Sequence, residues 1–199
     1  MNVLPHLVYR LLVIASLLVF SSASASDQRT ESPDTAVMTL SFRGVDYLHR
    51  WSQNGQNEFT PPSDIDLTKW RDMVTINVHE TVGNGNQLAE VANKVLTNYQ
   101  RHGKILRTDS KPRTETSPAE HLAVAILGNP AFLEAAFARF VLSDGVGFVV
   151  VYSHRVYGYR AGPEMSEWLK ANGPDVERAL MVWDKVPALA SLRQLPQSK

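Results

Sequence analysis

Apolar and polar positions along the chain follow two periods. Within Met73–Glu80, Val74, Ile76 and Val78 alternate with Thr75, Asn77 and His79, the pattern of a half-buried strand. From Gln87 to His102 the apolar residues fall at Leu88, Val91, Ala92, Val95, Leu96 and Tyr99, which places them on one stripe of an amphipathic helix. Gly83-Asn84-Gly85-Asn86 breaks the chain before that helix and offers an Asn N-cap. Gly103 stands where a left-handed C-cap is expected. His121–Leu127 is a continuous apolar run, as in a strand covered on both faces. Leu133–Leu142 and Val146–Tyr157 read as two strands joined by Ser143-Asp144-Gly145, and Asp-Gly between apolar runs signals a tight hairpin.

Shorter strands are predicted at Met38–Phe42, Tyr47–Ser52, Asn57–Thr60 and Leu106–Thr108, with Pro61-Pro62-Ser63-Asp64 as a loop and Trp70 as a buried plug after it. Pro163 opens a helix to about Ala171, Gly173-Pro174 breaks it, and Asp175–Trp183 forms a second helix stopped by Pro187. This order predicts an α+β fold: one domain over residues 37–187, an antiparallel sheet with helices packed on it. Residues 188–199 are expected to be a loose tail.

The front of the chain reads as an address. Arg10 precedes the apolar run Leu11–Phe20, and Ala23-Ser24-Ala25 has the small-x-small form of a cleavage site, so residues 1–25 are expected to be a removed signal peptide. The run is shorter than the about 20 apolar residues of a membrane span, so no stable span is expected after cleavage. Residues 26–36 are polar and aperiodic, which predicts a flexible leader.

The order of parts resembles the PsbP-like family of α-β-α sandwiches, many of them accessory proteins. The similarity runs from about Tyr47 to Val186. It includes Pro61-Pro62 and Trp70 before the Met73–Glu80 strand, the long helix, the Asp144-Gly145 hairpin and the closing helix. Membership would imply that fold and an accessory or binding role, and it would bring no catalytic residues with it.

Composition narrows the chemistry. The chain carries 20 Lys+Arg and 20 Asp+Glu over 199 residues, a balance that argues against a nucleic-acid partner. It has no cysteine, which removes disulfides, thiolate metal sites and cysteine nucleophiles. An exported chain with neither cysteine nor an Asn-x-Ser/Thr sequon points to the bacterial periplasm. His79-Glu80 lacks the second histidine of a zinc-binding helix, and Gly83–Leu88 lacks the third glycine of a dinucleotide loop. No cofactor, metal or catalytic residue is assigned.

A two-residue Asp144-Gly145 turn sets Arg139 opposite Val150, Phe137 opposite Tyr152, Val141 opposite Phe148 and Ala135 opposite His154, all on one side of the sheet. The other side carries Ala136, Ala138, Phe140, Leu142, Val149 and Val151, a surface suited to receive a helix, and Glu134 faces Arg155. Two readings of the Arg139 side stay open. It is an exposed binding surface of Phe137, Phe148, Tyr152 and His154 with Arg139 for an anionic group, or it is covered and those residues are core. Arg155 and Tyr157, with Tyr159 and Arg160, form an Arg/Tyr-rich rim of interface composition. A basic cluster runs from Arg101 to Arg113.

The favoured function is a non-enzymatic envelope protein that binds a partner protein or small ligand through that face or its rim. The rival is a hydrolase or metal-dependent enzyme built on His79, His121 or His154. A third class is a purely structural envelope component.

Overall fold

The computed structural model describes residues 37–198. The signal-peptide and leader expectations lie outside the described residues. Among the described residues eight strands are present: β1 (Thr39–Phe42), β2 (Val45–Gln53), β3 (Gln56–Thr60), β4 (Asp72–His79), β5 (Gly103–Lys111), β6 (Glu120–Asn129), β7 (Phe132–Ser143) and β8 (Val146–Tyr157). Three helices accompany them: α1 (Gly85–His102), α2 (Ala161–Val182) and α3 (Leu189–Arg193). The strands form one sheet in the order β1-β2-β3-β4-β8-β7-β6-β5, every pair antiparallel. Two four-stranded meanders thus meet at β4 and β8. Helix α1 carries the chain from the middle of the sheet to its far edge, and the second meander returns.

The β7–β8 hairpin has the register its turn requires, from Ser143 opposite Val146 to Phe132 opposite Tyr157. Asp144 (φ 50°) and Gly145 (φ 74°) both sit in the left-handed region, as a primed two-residue turn demands. One face carries Leu122, Val124, Phe137, Phe148, Val150 and Tyr152, packed with Met165, Val176 and Leu180 of α2. The opposite face carries Phe140 and the small residues Ala123, Ala125, Ala136 and Ala138, which let α1 seat Leu88, Ala92, Val95 and Tyr99 on β5–β7. The result is an α+β sandwich with helices on both faces of an antiparallel sheet. Among the described residues, no helix is long and apolar enough to cross a membrane.

Four expectations need correction. Asn84 caps α1 through its side chain, which accepts the Gln87 N–H at 3.0 Å, but Gly103 is not left-handed. Its backbone is extended (φ −179°), and glycine is needed because a Cβ would stand 2.0 Å from the Ile126 carbonyl oxygen. The chain therefore passes from helix straight into strand, and β5 is nine residues long, not three. Gly173-Pro174 does not break the terminal helix. Ala161, Met165, Val176 and Leu180 are buried along one stripe that runs past the proline, while Pro174 itself faces solvent. Water there can satisfy the carbonyl that loses its N–H partner. Nor does the chain end loosely after residue 187. α3 forms there, Leu192 and Leu195 are buried, and the Ser198 N–H donates to the Ser52 carbonyl at 2.7 Å.

Candidate functional site

α2 lies on the Arg139 side of the hairpin, so of the two readings of that side the covered one holds, and Phe137, Phe148 and Arg139 do not form an exposed binding surface. Phe137 and Phe148 are core, and Arg139 is only 7% exposed. Its Nη1 donates to the carbonyls of Leu180 (3.0 Å) and Trp183 (2.6 Å), and its Nε donates to Glu120 Oε2 (2.7 Å). The reason lies in α2, whose last turn has no basic residue of its own. Terminal helix carbonyls carry partial negative charge and need donors. Arg139 supplies them from β7 and Lys111 from β5: Lys111 donates to the Met181 carbonyl and lies 3.5 Å from Glu120. The Arg139 guanidinium is thus engaged by the protein's own helix end.

Tyr152 and His154 share a carboxylate from β4. Tyr152 Oη donates to Asp72 Oδ1 at 2.7 Å, and His154 Nδ1 lies 2.8 Å from the same oxygen. The imidazole stacks on the Trp168 indole of α2, centroids 4.0 Å apart and planes within 4°. Burial, and then the Asp72 charge, push the Tyr152 phenol above the usual tyrosine range, and the same two causes raise Tyr47. Both phenols are therefore neutral hydrogen-bonding groups at physiological pH. This cluster ties β4, β8 and α2 together.

Arg155 and Tyr157 lie on the opposite face of β8. The Arg155 guanidinium sits between the Trp70 ring (3.8 Å) and the Phe132 ring (4.0 Å), and its Nε donates to Glu134 Oε2 at 2.8 Å. Trp70 is a buried plug, as expected. Tyr157 Oη donates to the Trp70 carbonyl at 2.8 Å, and the Arg155 N–H donates to the Arg71 carbonyl at 2.8 Å. These bonds fix the loop 61–71 against the end of β8. Asp64 tightens it by accepting the N–H groups of Arg71 and Asp72 on Oδ2. In the turn after β8 Tyr159 is 98% exposed, in loop 61–71 Ile65 is 72% exposed, and Arg160 lies in an exposed pair 3.7 Å from Glu164.

The three histidines of the enzymatic alternative are not brought together. His154 meets Asp72, whereas His121 Nδ1 pairs with Ser110 Oγ at 2.9 Å on β5. His79 Nε2 is buried without a hydrogen-bond partner among the described residues, and burial followed by the Lys94 charge lowers the His79 pKa. A serine–histidine contact the sequence did not suggest joins His49 Nε2 to Ser52 Oγ at 2.7 Å. Ser52 is 0% exposed, and its single hydroxyl hydrogen goes to Asn57 Oδ1 at 2.7 Å, so His49 is the donor in this chain. A substrate cannot reach it. Among the described residues, no three His, Asp or Glu side chains converge as a metal site would require.

No family model matches the chain, and no curated protein matches it in sequence. Solved structures similar to it include a Pseudomonas aeruginosa protein of unknown function, with 11% identity and TM-score 0.44 over 76% of this chain and 99% of the other. The Saccharomyces cerevisiae Ran-binding protein Mog1p is similar at 11% identity and TM-score 0.44, over 73% of this chain and 92% of that one. Cyanobacterial PsbP from Synechocystis is similar at 8% identity and TM-score 0.36, over 76% and 95%.

Proposed function

We propose that the chain is a non-enzymatic accessory protein of the PsbP-like kind, exported to the bacterial periplasm, that binds a partner protein at the rim formed by loop 61–71 and the turn after β8. One observation carries the reading: Tyr159 and Ile65 are large apolar side chains left mostly in solvent on the two segments that the Arg155–Trp70–Phe132 stack and the Tyr157 bond tie together. Interfaces concentrate their binding energy in such preorganised aromatic and arginine anchors. Export is supported by Arg10, the apolar run after it and Ala23-Ser24-Ala25. The PsbP-like assignment is supported by the order of elements, with the long α1 between two runs of strands and the terminal helices after the hairpin.

Site-specific photo-crosslinking tests the rim in the protein's own cells. A photoreactive residue at position 159 or 65 is expected to give one discrete adduct, and the same residue at exposed Ala190 is expected to give none. Adducts of equal yield at all three positions, or at none, would overturn the reading. Amino-terminal sequencing of the protein from the periplasmic fraction tests export, with Ser26 as the expected first residue.

A further inference from the structure

The end of the sheet opposite the rim carries an open cleft of about 770 Å³, inside the range of about 300–1,000 Å³ that suits small ligands. Three elements wall it: the first turn of α1, the β5–β6 loop from Arg113 to Ala119, and the Asp144-Gly145 turn. The loop is itself hydrogen-bonded. Thr114 Oγ1 accepts the N–H groups of Thr116 (3.3 Å) and Ser117 (3.0 Å), and the Thr114 N–H donates to the Ser117 carbonyl (2.9 Å). Charges of both signs line the cleft: Arg113 from the loop, Glu115 beside it and Asp144 from the hairpin turn. Among the described residues none of the three has an ion-pair partner, unlike the neighbouring Arg107 and Lys111. Ala89, Pro118 and Leu142 add a small apolar surface.

We propose that this cleft binds a small zwitterionic ligand, an amino acid or short peptide with free termini, its carboxylate on Arg113 and its ammonium on Asp144 and Glu115. A purely anionic ligand would meet two carboxylates against one guanidinium, and a purely cationic one would leave Arg113 unmatched. A ligand with both charges fits both. The loop and α1 supply amide and hydroxyl groups for a peptide backbone between them.

Titration of the isotope-labelled protein with alanine and with trialanine, followed by amide chemical shifts, tests this. Saturable shifts at Asn84–Asn86 and Thr114–Ser117 are expected with at least one of the two, and which one identifies the ligand's length. N-acetylation or C-amidation of the bound probe should each weaken it at least tenfold. Arg113→Gln should abolish discrimination against the amide alone, and Glu115→Gln with Asp144→Asn discrimination against the acetylated form alone. No saturable shift with either probe would overturn the proposal, as would equal binding of the blocked forms.

Discussion

The guanidinium of Arg139 donates across the sheet–helix interface to the carbonyl of Trp183, 2.6 Å away, just past the end of α2. With its bonds to Leu180 and Glu120 it adds to the cap that the Trp183 N–H makes on the Leu180 carbonyl. Arg139→Met should destabilise the fold by about 2–4 kcal/mol, because it strands the Trp183 carbonyl and leaves Glu120 only the more distant Lys111. Arg139→Lys should recover only part of this, since one ammonium nitrogen cannot reach the acceptors that Nε and Nη1 of the guanidinium reach separately. Urea unfolding checks both. Unchanged stability in Arg139→Met would instead mark an arginine free for a ligand.

Arg155→Ala should be of similar severity, about 2–4 kcal/mol, since it leaves Glu134 buried and opens the stack between Trp70 and Phe132. Trp70 emission should move towards that of a hydrated indole, reporting release of loop 61–71. Tyr159→Ala, by contrast, should alter stability by less than about 0.5 kcal/mol.

Stability should fall in mild acid. Burial holds both His49 and His79 below the ordinary histidine pKa. The unfolded chain therefore binds more protons than the folded one once pH falls below about 6.5. Stability from these groups is fully present above that value and is lost as pH drops through the folded values. Thermal unfolding from pH 8 to pH 5 should show the decline, and the double variant His49→Gln/His79→Gln should flatten it. An equal slope in the variant would place the acid sensitivity in the carboxylates.

Deleting residues 188–199 should cost about 3–5 kcal/mol, because it removes the buried Leu192 and Leu195 and the Ser198 hydrogen bond to the Ser52 carbonyl. A tail without contacts would leave the urea midpoint where it was.

Pro174→Ala should stabilise α2 by about 1–2 kcal/mol, restoring one helical hydrogen bond at some cost in unfolded-state entropy. Loss of stability would mean that the proline sets a bend the sheet requires.

Local chemistry explains what could be read in the sequence. Asp144-Gly145 fixes a primed turn, and that turn fixes all twelve pairs of the β7–β8 ladder, Glu134 opposite Arg155 among them. The stripe from Leu88 to Tyr99 defines α1 in the same way. The candidate site was less legible because its partners are distant in sequence. His154 takes Asp72 from β4 and Trp168 from α2, and neither spacing leaves a periodic trace. Gly173-Pro174 mimics a helix break, and only the apolar stripe that continues to Leu180 overrides it. It is the continuity of α2 through Pro174 that brings its last turn over Arg139.

The central claim is that binding resides at the rim while the hairpin face is structural. Yield of the in-cell adduct, formed from a photoreactive residue at position 65 in chains of equal abundance, tests it most directly. Tyr159→Ala should cut that yield several-fold with the unfolding midpoint unchanged, and Arg139→Lys should lower the midpoint with the yield intact. The opposite pattern, with adduct lost in Arg139→Lys and retained in Tyr159→Ala, would contradict the account.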